Sequence, residues 1–453
     1  MDPARSTPIK VSLLTGSSMS ANGAKGAPPN SVLFRFLWCG QLISNLGTQT
    51  SLYGIGLWLF AQSGRLLDFG LVALVVQLAR ILALPLLASR LNHWPPARLM
   101  LLAHAVGALC TLALAWVLLG AAPQAGQLPS LLPILLIQGV AAMAEATLVL
   151  RFSSLIPLLI ADGPALIRAN GLFATTDGLV VTMAPFLGTW LVSALGLMGV
   201  LGLDALSFVL AMVCVLLAPW SEDILQRLPS PAPADSIGWS SLPRRLRRFW
   251  RRRAQARQAL LLSAVVMGVY AGCEILFPAW VAERWGAARM AVVLVLGCAG
   301  YGGGFLLWRF WLGQHWRMSG RALLLGQALI LVGAGVPALV AVDGLWFVGV
   351  FGFSLGLPVV TAALHQAWVT LAQQEDPARV FALRYGCEWS SRLLAFLGVS
   401  LLADRLVKPN ISSMFEAIPG QPLAFTLSGL GVVVVVALLL GTRLSLKAGP
   451  SIN

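Results

Sequence analysis

Apolar runs about twenty residues long recur along this chain, separated by short polar breaks. Twelve of them, at 34–61, 68–92, 99–121, 131–154, 172–194, 199–218, 259–281, 289–312, 322–341, 345–371, 381–403 and 422–441, are long enough to cross a membrane as helices. A hydrocarbon core about 30 Å thick needs roughly 20 mainly apolar residues per helix. Several runs contain Pro or Gly, including Pro85, Pro185, Pro278, Pro337, Pro358 and the stretch GYGGG at 300–304. Inside a membrane, neighbouring helices satisfy the backbone groups that such residues free, and small residues let helices approach closely.

The polar breaks set an orientation. With the N-terminus inside, the five inner loops and their adjoining span ends carry 18 Lys and Arg, against five outside: Arg65, Arg284, Arg289, Arg405 and Lys408. Positive loops stay cytoplasmic, so both termini are expected there. Residues 1–33 are rich in Ser, Pro and Gly and predict a disordered cytoplasmic tail, and 442–453 a second tail. The longest break, 219–258, separates six spans from six. It ends in LPRRLRRFWRRRAQARQ, with eight Arg around Phe249 and Trp250. Over 244–257 this predicts a basic amphipathic segment lying on the anionic lipids of the inner leaflet.

Composition agrees with this reading. Of 453 residues, 58% are hydrophobic and 11% charged, with a mean hydropathy of +0.82. A water-soluble protein of this length cannot bury so much apolar surface. The net charge of +14 comes from 27 Arg and 4 Lys against 17 acids. Their loop positions favour a membrane surface as partner over nucleic acid. All six Cys lie within apolar runs without metal-ligand spacing, and read as small packing residues. No phosphate-binding loop of the Walker type is present, which argues against direct use of ATP.

The expected fold is therefore an all-α membrane protein of twelve transmembrane helices in two pseudo-symmetric six-helix bundles, 34–218 and 259–441, joined by the linker 219–258. Motifs narrow it. FLWCGQLISNLG (36–47), SLIPLLIADGPALIRANGL (154–172), APFLG (184–188), DALSF (204–208), RVFALR (379–384) and LLADRLVKP (401–409) occur in that order. Together they resemble the major facilitator superfamily, in particular its bacterial exporter branch of enterobactin-exporter-like and macrolide-efflux-like proteins. The resemblance implies a secondary transporter of the inner membrane, without cofactor or metal and not an enzyme, that works by alternating access around a central site. It also locates two departures. Against the family's helix 2–3 hairpin, Pro85–Met100 places Asn92 where the family has an Asp and His93 where it has an Arg, while Arg98 keeps a basic position. In LLIQGVAA (135–142), Gln138 and Gly139 match the drug–proton antiporter pattern, and Leu135 stands in place of its Arg.

Ionisable groups at membrane depth cost about 2.5–3.5 kcal/mol each on insertion scales, so each is a functional candidate. Glu145, Glu274 and Asp177 are the expected substrate or proton pathway, since a carboxylate kept from water gains affinity for a proton. Arg80, Arg384, Glu388 and Arg392 are the expected charge network or gate. Arg384, Glu388 and Arg392 share one helical face at spacings of four, and Arg80 is a possible second partner for Glu388. Asp204 is expected at the outer interface. His104 and His365 read as packing residues, and Trp94, Trp220, Trp280, Trp285, Trp316 and Trp346 as an interfacial belt. The expected function is proton-coupled efflux, as an antiporter, of a small amphipathic compound such as a siderophore, peptide natural product or antibiotic. Siderophore uptake, lysolipid movement and a non-transporting scaffold or sensor are its rivals.

Overall fold

The computed structural model describes residues 29–90, 94–120, 130–160, 163–220, 254–286, 289–308, 310, 343–372, 377–411 and most of 422–431. All regular structure among the described residues is helical. The helices are α1 (Pro29–Ser63), α2 (Leu66–Arg90), α3 (Pro96–Gly120), α4 (Leu131–Leu159), α5 (Gly163–Leu217), α6 (Ala254–Trp285), α7 (Met290–Leu307), α8 (Asp343–Ala372) and α9 (Pro377–Leu401). A π-helical segment, Leu402–Val407, continues α9 into the short α10 (Lys408–Ile411), and a further apolar helix, α11, covers Pro422–Gly431. The expected span 322–341 lies outside the described residues, as does the basic segment up to 253. From Ala254 onward that segment is the first turn of α6.

Among the described residues, six helical stretches are long and apolar enough to cross a membrane: Leu66–Ala83, Pro96–Gly120, Leu131–Ser153, Thr176–Leu217, Ala259–Trp285 and Met290–Leu307. The chain is thus a multi-pass membrane protein. The 35-residue α1 is not among them, for a reason visible in its sequence. Gln41, Ser44, Asn45, Thr48, Gln49, Thr50 and Ser51 crowd its middle, and all but Thr48 are buried. A helix that turns so many amides and hydroxyls inward is built to hydrogen-bond its neighbours.

The runs expected as two spans at 172–194 and 199–218 are two helical arms of α5, separated by a break in helical geometry at Gly196. Its φ of 71° and ψ of 168° are open to glycine and closed to side-chain-bearing residues. Both arms of α5 pack on α1. Gly40, Gly47 and Gly54 recur at every seventh position of α1 and line up against Cys214, Ser207 and Val192 of α5. From the facing side, a methyl group at Gly188 would fall 2.5 Å from the Thr50 carbonyl. This small-residue seam brings the two backbones together, which is how helices associate where lipid removes any hydrophobic drive.

Elsewhere α3 packs on α4 and α5, α2 on α4, α6 on α9 and α7 on α8, with α1–α5 termed the first group of helices and α6–α9 the second. The two groups touch where α2 meets α9 and where α5 meets α7. One apolar core runs across that boundary, combining Tyr53, Phe60 and Phe69 with Phe277, Trp280, Trp346 and Phe396. The belt expected of the tryptophans does not hold for Trp280 and Trp346, which are 5% and 1% exposed. Their rings meet at a tilt, with centroids 4.9 Å apart, and each meets Trp285 edge to face, filling the interior instead of flanking it. The outside is apolar as well: Trp116, Leu109, Leu216 and Leu394 are all largely exposed. Patches of this kind suit lipid as the solvent.

Within GYGGG, Gly300 and Gly304 let α7 lie directly on α8. A methyl group at Gly304 would overlap the Leu355 carbonyl and the Pro358 ring. Overpacking of this sort costs about 1–3 kcal/mol. Gly304→Ala is therefore expected to lower the melting temperature of the detergent-purified protein. Gly302→Ala, whose added methyl group meets open space, is expected to leave it unchanged.

Candidate functional site: four acids around one polar helix

The polar middle of α1 finds its partners in acids on other helices. On one face, Asn45, Gln49 and Tyr53 follow at intervals of four residues, one above the other. Asn45 donates from Nδ2 to Asp177 Oδ1 of α5 at 2.8 Å. Gln49 donates from Nε2 to Glu145 Oε1 of α4 at 2.8 Å. Tyr53 donates from Oη to Glu274 Oε2 of α6 at 2.6 Å. On an adjacent face, Thr48 and Ser51 reach Asp204 in the second arm of α5 at 3.5 and 2.8 Å. One helix thus touches acids from α4, α5 and α6.

Two of these acids are neutralised by arginine. Arg80 of α2 bonds Glu145 at 2.7 Å. Arg392 of α9 grips Glu274 through both guanidinium nitrogens, at 3.0 and 2.6 Å, and its guanidinium carbon sits 5.6 Å from the Phe396 ring. A bidentate fork is the strongest geometry available to an arginine and a carboxylate. Because Tyr53 belongs to α1 and Glu274 to α6, this triad also ties the first group of helices to the second.

The third pair is local to one helix. Arg384 bonds Glu388 at 2.7 Å across one turn of α9. Arg392, expected to share that face, turns instead to Glu274, and Arg80 bonds Glu145 and not Glu388. Asp204, expected at the interface, is 3% exposed and ringed by hydroxyls. His104 is fully buried, with Nδ1 3.4 Å from Ser44 Oγ and its ring against Phe208, as a packing residue would be.

The hairpin between α2 and α3 is seen only at its edge. Asn92 and His93 lie outside the described residues, as does the His365 side chain, and Arg98 is exposed in the first turn of α3. Arg151 of α4, not singled out from sequence, is 9% exposed and donates from Nη2 to the Trp94 carbonyl at 3.2 Å, pinning the end of that turn.

A second set of contacts between the two groups was missed because its residues read as loop. Gly64, with φ of 67°, ends α1, and α2 begins at Leu66. The first N–H groups of a helix have no partner within it. Those of Leu66 and Leu67 donate to the two oxygens of Asp404, at 3.1 and 2.7 Å. Lys408 donates to the Gly64 carbonyl at 2.8 Å, lies 3.5 Å from Asp404 and 3.9 Å from Glu283, and covers the Phe60 ring at 4.9 Å. Asp404 is thus an N-cap supplied from 337 residues away.

Among the described residues, no three His, Cys, Asp or Glu side chains gather as a metal site. No family model and no curated protein sequence matches the chain. Solved structures do. A proton-dependent oligopeptide transporter aligns over 92% of this chain and 98% of its own, with a TM-score of 0.67 and 12% identity. A bacterial homologue of the human lysosomal transporter Spinster, in an inward-facing, unoccupied conformation, aligns over 95% and 100%, at 0.62 and 16%. A bacterial homologue of the iron transporter ferroportin, inward-facing, aligns over 91% and 98%, at 0.61 and 16%. The chain therefore shares its overall fold with these multi-pass membrane transporters.

Proposed function

We propose that this protein is a secondary active transporter of the bacterial inner membrane. Two six-helix bundles, 34–218 and 259–441, rock about a central site, with both termini and the basic linker 219–258 on the cytoplasmic side. The cargo we favour is a small amphipathic compound, such as a siderophore, peptide natural product or drug, exported against a proton returning inward.

The observation that carries this reading is the triad Tyr53–Glu274–Arg392, in which one acid bonds a helix of each group. Alternating access requires contacts between the bundles that break and reform. A carboxylate shared by a phenol and a guanidinium is suited to that, because protonating it weakens both bonds at once. Glu145, Gln49 and Arg80 form a similar unit within the first bundle. Asp177, bonded to Asn45 and to no arginine among the described residues, adds a third acid beside them.

The test is transport in inverted membrane vesicles with an imposed pH gradient. Glu145→Gln and Glu274→Gln are each expected to reduce gradient-driven efflux at least tenfold, while exchange at equal pH persists. If both variants keep full pH-driven flux, the proton assignment fails. If purified wild-type protein moves no compound of this class in liposomes, the scaffold reading takes its place.

A further inference from the structure

Asp204 takes no part in the ion pairs just described, and its surroundings are unusual for a carboxylate. It sits within the apolar stretch Thr176–Leu217, 3% exposed, and no Lys, Arg or His bonds it among the described residues. Three hydroxyls close on it instead: Ser51 and Thr111 at 2.8 and 2.9 Å from Oδ2, and Thr48 at 3.5 Å from Oδ1. Ser51 and Thr111 are each 4% exposed. Gly47 makes room for the nest, since a methyl group there would lie 2.9 Å from Oδ1.

The hydroxyl protons can be counted. Ser51 Oγ lies 3.1 Å from the Thr48 carbonyl as well as 2.8 Å from Asp204 Oδ2. A serine hydroxyl has one proton to give, and a carbonyl can only accept. Both contacts are full hydrogen bonds only when the second proton comes from the acid. A buried, unpaired carboxylate is also costly, whereas a carboxylic acid among hydroxyls is an ordinary hydrogen-bonded group.

We propose that Asp204, with Thr48, Ser51 and Thr111, is a proton-binding site in the first group of helices, separate from the Glu145 and Glu274 ion pairs. The groups facing it are few. Thr48 and Ser51 come from α1, and Thr111 from α3, which carries Cys110 beside it and His104 two turns away against Phe208. Ser207 lies on α5 itself, and Glu145 acts from α4 through its charge, held by Arg80. Since Thr48 and Ser51 share α1 with Gln49 and Tyr53, occupancy of the nest bears on the same helix that holds Glu145 and Glu274. The proton can be observed with no substrate present, so this site and the transport reading stand or fall separately.

Infrared spectroscopy of the full-length protein in lipid nanodiscs tests it. The wild type is expected to show, at neutral pH, a protonated-carboxyl C=O band that shifts in deuterium oxide and is missing from Asp204→Asn. If that variant does not fold, Thr111→Val gives the answer: with one hydrogen bond fewer, the band moves to higher frequency. Spectra of the wild type and Asp204→Asn that coincide in this region would overturn the proposal. A band that ignores deuterium would also overturn it, as a sealed structural acid. So would a band that appears only when sodium is replaced by choline, because the occupant would then be sodium.

Discussion

Glu274→Ala is expected to destabilise the protein by about 3–5 kcal/mol, the usual cost of leaving a buried charge without its counter-charge. The stranded group is Arg392, held on both nitrogens by Glu274 and otherwise packed on Phe396. The double variant Glu274→Ala with Arg392→Ala is expected to recover part of that loss, because no charge is then left unpaired. Melting curves of the purified protein in one detergent provide the comparison. A double variant no more stable than Glu274→Ala would show that the loss lies in packing. Tyr53→Phe supplies a third arm. It removes one charge-assisted hydrogen bond, worth about 1.5–3 kcal/mol, while the ion pair stays intact.

The second large effect is expected at Asp404 and concerns conformation more than stability. Asp404→Ala takes away the carboxylate that caps α2 from the end of α9. An N-cap is worth roughly 0.5–2 kcal/mol, and an acid at a helix N-terminus gains further from the helix dipole. Because this cap bridges the two groups of helices, its loss should favour the state in which they part at that end. A shift of about tenfold in the equilibrium corresponds to 1.4 kcal/mol, within the range one cap supplies. Spin labels at Arg65 and Arg405, both at that end, are expected to report a longer-distance population in the variant. An unchanged distance distribution would reduce Asp404 to a local cap. Lys408→Ala should act in the same direction and more weakly, since its contacts with Gly64, Asp404 and Glu283 are more exposed.

Much of the architecture was legible because membrane helices announce themselves by length and apolarity. The described helices lie on the apolar runs, and the two runs on either side of Gly196 are the two arms of α5. The acids were legible for the same reason, since a charge in such a run is costly enough to need an explanation. Their partners were not. Nothing in the spacing says that Arg392 prefers Glu274, 118 residues away, to Glu388 one turn back, because that depends on Arg384 occupying Glu388 first. Asp204 was read from its nearness to a span end, which says nothing of the hydroxyls around it, and Asp404, one residue past its expected span, was left in a loop. The larger omission was α1. Its Asn45, Thr48, Gln49, Ser51 and Tyr53 carry no charge, so an argument from the cost of ions passes over them, although between them they bond Asp177, Asp204, Glu145 and Glu274.

That arrangement makes α1 tolerant of some changes and intolerant of others. A substitution at Asn45, Gln49 or Ser51 removes one bond and leaves the rest. Inserting a single residue between Phe36 and Gly40 would instead rotate all that follows by about 100°. The glycine seam would leave α5, and Asp177, Glu145, Glu274 and Asp204 would lose their partners together. Outside its glycine seam, the number of residues in this helix matters more than the identity of any one of them, so related chains should differ more in its polar lettering than in its length.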